Sequence, residues 1–354
     1  MSLRVVLSHP LGDPVVRDIV DGRWAEVSGT VEKTIGEGMW ALPGLVDAHS
    51  HLASAHLAYE PGDFDGAVER ATESLTAGVT LLLDKGWSDD TTIRVIDALE
   101  PDQRPEIEAA ARVVAVDGGY FPGFAHEIDP EDISAAAGRE ARAGRGWVKV
   151  IGDWPRKGIG PVANFDEDQL RRAVIAAREG GARVAIHTMA RDVPSMAVSA
   201  GVQSIEHGLF LTGDDLSVLG ERGGIWVPTL LRVEAIVAQL GEASSGGRLL
   251  MEGLANVRSK LPMAVEAGVH VLAGTDLVGT PANVAAEAAR LGDYGLSNRQ
   301  VVEAVSRAGF VVTGRDPDFA PGTPADAVLF DEDPVREPGV LARPSQVIRL
   351  GRVL

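Results

Sequence analysis

The chain has 354 residues, 45% hydrophobic and 24% charged, enough to bury a sizeable core and too apolar to stay disordered. Its 51 acidic and 33 basic side chains give a formal net charge of −18, which repels phosphate backbones and anionic lipid headgroups, so neither nucleic acid nor a membrane is an expected partner. Cysteine is absent, which excludes disulfides, thiolate nucleophiles and Cys-ligated zinc; any metal must be held by His and oxygen ligands.

In chain order, Arg4–Ser8, Val15–Val20 and Trp24–Val27 read as short strands, and Asp21-Gly22 is a hairpin-turn dipeptide between the last two. The N-terminus has no apolar core with a small-residue cleavage site, and no apolar run reaches the ~18 residues of a membrane span, so a cytoplasmic protein is expected. From Ala41 the grammar changes. A helical stretch ends in glycine and a β-branched strand follows at once, at Ala77-Gly78-Val79, Gly180-Gly181-Ala182-Arg183-Val184, Ala200-Gly201-Val202, Gly223-Gly224-Ile225 and Ala267-Gly268-Val269. Glycine accepts the left-handed conformation past a helix end, so this recurrence predicts βα units and a parallel sheet. One helix shows both its ends: Asp166 with Gln169 forms a capping box, Leu170, Ala173, Val174 and Ala177 make one apolar face, and Gly180 stops it.

The candidate strands are Leu42–Asp47, Val79–Leu83, Ile107–Val114, Val148–Ile151, Val184–Ile186, Gln203–Ile205, Ile225–Val227 and His270–Ala273. They predict an α/β fold, a (β/α)8 TIM barrel over residues 43–319, whose chemistry belongs at the C-terminal strand ends. After Thr323 the chain returns to strand and turn patterns. Residues 1–42 and 320–354 are expected to pair in a small β-sandwich domain.

The barrel reading makes a test of the polar residues. His49 and His51 follow the first candidate strand, Lys149 lies in the fourth, His187 and His207 end the fifth and sixth, and Asp276 follows the eighth. Six groups of metal-ligand type therefore converge on one rim. Residues i and i+2 of a strand face the same side, so His49 and His51 can bind one cation through neutral imidazoles, with zinc the expected metal. A lysine among Val148 and Val150 is costly to bury charged. As a neutral amine it can react with carbon dioxide, and the resulting carbamate is a carboxylate able to bridge two cations.

The segments Gly44-Leu45-Val46-Asp47-Ala48-His49-Ser50-His51-Leu52, Val148-Lys149-Val150, Ala185-Ile186-His187, Ser204-Ile205-Glu206-His207-Gly208 and Ala273-Gly274-Thr275-Asp276 resemble the amidohydrolase superfamily, as does the tail Pro324 to Leu329. Ser204 to Leu209 and Val227-Pro228-Thr229-Leu230 are most similar to its imidazolonepropionase-related and prolidase-like branch. The resemblance implies two divalent metal ions: His49, His51 and Asp276 on one, His187 and His207 on the other, and a carboxylated Lys149 between them. It implies hydrolysis of an amide or related C–N bond of a small molecule, of the dipeptide or N-acyl amino acid class, by metal-activated hydroxide, with Asp276 as general base and then acid.

The sequence departs from that pattern at Asp84-Lys85-Gly86 and at Gly152 to Lys157, two loops expected to border the pocket. Tyr120 and His126, in and after a glycine-rich loop, and Trp154, Arg156 and Arg232 are candidate substrate contacts; Lys157 and Arg191 are further cations near the rim. His9, His56 and His270 are expected to be structural. Lactone or phosphoester hydrolysis on the same metals is an alternative. Deamination is a weaker one, because superfamily deaminases carry His-x-x-Glu where this chain has His187-Thr188-Met189-Ala190. A non-catalytic assembly subunit is a third alternative, though such relatives usually lose ligands; a homo-oligomer is compatible with any of these readings.

Overall fold

Eight strands form the centre of the protein, and a computed structural model describes them within residues 3–54 and 61–354. They are β1 (Leu45–Ser50), β2 (Val79–Asp84), β3 (Glu106–Ala110), β4 (Gly146–Ile151), β5 (Arg183–Thr188), β6 (Ser204–His207), β7 (Ile225–Val227) and β8 (His270–Val271). Each pairs in parallel with its sequence neighbour, in unbroken order from β1 to β8. The sheet curls until its edges meet: the Ala48 N–H donates to the Ala273 carbonyl at 2.8 Å, and the Asp276 N–H to the His49 carbonyl at 2.8 Å.

Alternation along the strands separates two cores. Leu81 and Leu83 face an inner cluster with Val46, Trp147, Ile225 and Leu272, while Leu82 faces the surrounding helices. Both faces of a parallel sheet are covered, which explains why these strands read as continuous apolar runs. The helix Glu167–Glu179 shows how the outer layer is fixed. The Asp166 carboxylate accepts from the Gln169 N–H at 2.7 Å, the Gln169 side chain accepts from the Asp166 N–H at 2.9 Å, and Leu170, Ala173 and Ala177 are buried.

The termini form two further sheets. Arg23–Ala25, Val15–Val20, Leu3–Leu7 and Lys33–Ile35 make one; Arg352–Val353, Gln346–Arg349, Ala327–Phe330 and Trp40–Leu42 make the other. Val5, Leu7, Trp24, Ala327, Leu329 and Ile348 share one apolar cluster across them. Asp21 and Gly22 take positive φ values of 49° and 75°, the requirement of the tight hairpin that their sequence predicts.

Three expectations shift. The run Leu42–Asp47 is divided, with Trp40–Leu42 pairing to Ala327–Phe330 and β1 beginning only at Leu45. The single strand expected over Ile107–Val114 is β3 followed by a separate strand, Val114–Val116; between them the Arg112 N–H turns to the Glu140 carboxylate. Lys33–Ile35 carries no apolar alternation and was not expected as a strand. His56 lies outside the described residues. Among the described residues no helix is long and apolar enough to cross a membrane.

Candidate metal centre

The centre begins with a knot between the ends of β1 and β8. The buried Asp47 carboxylate accepts from the His49 N–H at 3.0 Å, the Thr275 N–H at 3.1 Å and the Thr275 hydroxyl at 2.6 Å. Burial raises its pKa to about 6, partly offset by these donors. The pairing register of β1 with β2 shifts between Asp47 and Ser50, so strict alternation is lost just where the histidines begin. Gly274 lies against β1: a Cβ there would stand 2.6 Å from His49 Cβ and 2.9 Å from the His49 backbone nitrogen. Asp276 and Leu277 hold left-handed backbone, with φ of 41° and 64°, a strain that the tie to the His49 carbonyl sustains.

These constraints bring three ligand atoms together. His49 Nε2 lies 3.7 Å and His51 Nε2 lies 3.5 Å from Asp276 Oδ1, and all three residues are buried. Ligands ~2.1 Å from a tetrahedral divalent cation stand ~3.4 Å apart, so this donor set fits a metal.

The far nitrogens of three of the histidine rings have a group beside them that can orient the ring. His51 Nδ1 is 2.7 Å from the Gly86 carbonyl, His49 Nδ1 is 2.7 Å from Glu206 Oε2, and His207 Nδ1 is 2.6 Å from the Thr229 hydroxyl. Such outer partners fix the tautomer and ring angle of metal-binding histidines. His207 Nε2 then faces His187 Nδ1 at 2.9 Å and Asp276 Oδ2 at 3.8 Å, and Lys149 Nζ stands 3.4 Å from His49 Nε2. All six rim groups expected from the sequence therefore belong to one contact network.

The charges suit ligation. Burial lowers His49 and His207 to about 3 and His187 well below its usual value, so the imidazoles are neutral. Burial also lowers Lys149 to about 8, which leaves an appreciable fraction as free amine near neutrality. Asp276 stays ionised: burial pushes it up, but its polar surroundings, the Arg232 guanidinium among them, hold it well below the carboxylate range.

Two residues beneath the centre carried no expectation of a role there. Glu206 is fully buried and contacts His49 on one side and Lys85 on the other, with Lys85 Nζ 3.4 Å from Oε1. The Ser204 hydroxyl donates to the same oxygen at 2.6 Å. Lys85 does not border the pocket, as its position after β2 had suggested. It continues the inward alternation of Leu81 and Leu83, is fully buried, and lies 4.4 Å from the centre of the Trp147 ring. That alternation was the available signal in the sequence. Thr229 is the other omission. It precedes the helix Leu230–Leu240, but its hydroxyl faces His207 Nδ1, and the buried Glu287 carboxyl group caps the helix instead, accepting from the Leu230 and Leu231 N–H groups at 2.6 and 3.0 Å.

The other candidates divide. Trp154 packs on Tyr120 and Phe121 with centroids 4.6 and 4.5 Å away, and its ring is 5.9 Å from that of His187; Tyr120 is 6.4 Å from the same ring. These aromatics form a wall beside the histidines. Arg232 Nε lies 3.9 Å from Asp276 Oδ2, at the centre itself. His126 is turned to Glu140 and Arg139, at 2.9 and 3.0 Å. Arg156 is tied to the Gly118 carbonyl and Asn164, and Arg191 pairs with Glu252 at the surface.

Residues 40–354 match the amidohydrolase family model, and the chain belongs to that family. It is 35% identical to an uncharacterized protein of Mycobacterium tuberculosis over 344 residues, 94% of this chain and 90% of that protein. It is 28% identical to the imidazolonepropionase of Saccharopolyspora erythraea over 247 residues, 60% of this chain and 61% of that enzyme. Among solved structures, a Xaa-Pro dipeptidase with bound methionine superposes with a TM-score of 0.83 at 20% identity, covering 100% of both chains, which shows the shared fold.

Proposed function

We propose that the protein is a binuclear hydrolase, with zinc as the metal, acting on an amide bond of a dipeptide or N-acyl amino acid. One observation carries the reading: Asp276 faces His49 and His51 through one oxygen and His207 through the other, while Lys149 stands against His49. Two ligand sets can be drawn from that network. His49, His51 and Asp276 would hold one cation and His187 and His207 the second, with a Lys149 carbamate joining them. When bound, the metals supply an acidified water and polarise the scissile carbonyl.

The chain's own groups supply the rest. Asp276, kept ionised by its neighbours, accepts a proton at Oδ2 from the water that adds to the carbonyl carbon, and returns it to the nitrogen as the C–N bond breaks. The aromatic wall of Tyr120, Phe121 and Trp154 excludes water from the His187 side. The activities for which two similar proteins are named, an imidazolonepropionase and a dipeptidase, support C–N hydrolysis over the lactone, phosphoester and deaminase alternatives.

Metal analysis of protein purified without chelator tests this reading. About two equivalents per chain are expected, and Lys149→Ala should retain one and lose most turnover, with partial rescue by short carboxylic acids. No bound metal and no hydrolysis after reconstitution would refute the enzyme reading; a Lys149→Ala variant that keeps both metals would refute the bridge.

A further inference from the structure

Most cations around the rim are already engaged. Arg191 makes a two-pronged contact with Glu252, Arg156 is held by Asn164 and the Gly118 carbonyl, and below the rim Lys85 pairs with Glu206. Arg232 differs. Among the described residues its guanidinium makes no hydrogen bond, and Asp276 is the only carboxylate within ion-pair distance, at 3.9 Å. Asp276 is turned to the three histidines, so it does not serve Arg232 alone. A partly buried guanidinium, with its side chain 17% exposed, is left with nearly its whole fork of donors unused.

The backbone beneath Arg232 is built to hold it still. Its helix starts at Leu230, and the two N–H groups just before Arg232 are clamped by the buried Glu287 carboxyl group. Thr229 adopts left-handed backbone with φ 49°, which sets the helix entry, and its hydroxyl ties that entry to His207. Arg232 is thus fixed relative to the same histidine that faces Asp276. Val233, the next residue, is buried in the core and leaves Arg232 no freedom to rotate with the helix.

Around the ring of eight strands, the loop after β7 lies opposite those after β3 and β4. Arg232 therefore stands on one side of the candidate metal centre and the wall of Tyr120, Phe121 and Trp154 on the other. A substrate spanning the centre meets a cation at one end and aromatic surface at the other. A guanidinium matches a carboxylate in a two-pronged contact, and it gains most from such a contact where water is restricted.

We propose that Arg232 is the specificity residue that binds the free carboxylate of the substrate, placing the amino-acid end at the β7 side and an apolar acyl group against Trp154 and Tyr120. The inference rests on the amide-hydrolase reading above and narrows it: substrates are N-acylated α-amino acids or dipeptides with hydrophobic acyl parts. Uncharged amides, carbamates and ureas are disfavoured because they leave Arg232 without a partner. The same logic predicts that the free amino acid released on the β7 side inhibits competitively.

The test uses the metal-replete enzyme and paired probes: N-acetyl and N-benzoyl glycine, leucine and proline, each against its own carboxamide. Turnover gives kcat/KM, and competitive inhibition gives affinity for any probe that is not cleaved. The acids should be preferred by about 100-fold, since a desolvated charge pair of this kind is worth a few kcal/mol. Arg232→Met should reduce that preference to near unity, mainly through KM, while its metal content stays that of the wild type. Arg232→Lys should restore part of it. Three results overturn the assignment: no acid binds better than its amide, Arg232→Met keeps the preference, or Arg232→Met slows acid and amide alike, which would indicate a role at the reacting atoms. A metal-replete enzyme that cleaves only uncharged amides or ureas sinks this inference and leaves the hydrolase reading intact; a metal-free, inert protein sinks the hydrolase reading itself.

Discussion

Replacing Lys85 by methionine removes the positive partner of Glu206 without changing the bulk of the side chain. Both groups are buried, with side chains 1% and 0% exposed, and the contact is 3.4 Å. Breaking such a pair leaves an uncompensated charge in the barrel interior, which costs about 3–5 kcal/mol. Loss of the ammonium over Trp147, 4.4 Å from the ring centre, adds about 1 kcal/mol. The expected destabilisation is therefore about 4–6 kcal/mol in chelator-treated protein, read from urea unfolding. Lys85→Met combined with Glu206→Gln should recover most of it, because a neutral pair of similar volume carries no stranded charge. The double variant should still bind metal about 10–100-fold more weakly than wild type, since His49 Nδ1 has lost the carboxylate that orients it. A single variant that costs under about 1 kcal/mol, or a double variant no more stable than the single, would refute the idea that Lys85 compensates Glu206.

Further expectations concern groups around the same centre. Burial raises Glu287 to about 8 despite two backbone donors, so the folded protein holds a proton that the unfolded chain releases near pH 4.5; this contribution to stability falls as pH rises from about 4.5 to 8. Glu287→Gln should flatten that part of the profile by several kcal/mol, and unchanged slopes in urea titrations across the window would count against the buried carboxyl. Gly274→Ala would drive a methyl into His49 and Val227, so it should cost about 1–3 kcal/mol and cut metal affinity, as chelator competition would measure. Thr229→Val removes the partner of His207 Nδ1 and should weaken one metal equivalent about 10–100-fold while leaving the helix start, which Glu287 caps, intact by circular dichroism.

The six rim residues were legible in the sequence because metal chemistry restricts residue type, and a parallel α/β fold restricts where such residues can meet. His49, His51, His187, His207 and Asp276 follow or end apolar runs and Lys149 lies within one, and the glycine-terminated helices between them set the strand order. The helix at Glu167–Glu179 was equally local: its cap, apolar face and stop all lie within its own residues. Short-range rules of this kind act through neighbours in the chain.

Tertiary structure alone decided the groups that act through partners distant in sequence. Lys85 and Glu206 are separated by three complete βα units and meet only because β2 and β6 face each other across the curled sheet. Thr229 looks like an ordinary helix cap until His207 claims its hydroxyl, and Glu287 then supplies the cap from another helix. Arg156 and Arg232 looked equivalent as cations near the rim. The fold gives Arg156 its partners and leaves Arg232 facing the centre, because whether a charge is satisfied depends on what the rest of the chain brings to it. Residue type and strand pattern thus determined where the candidate metal centre sits, and the closing of the sheet decided which groups contact it and which keep unused donors.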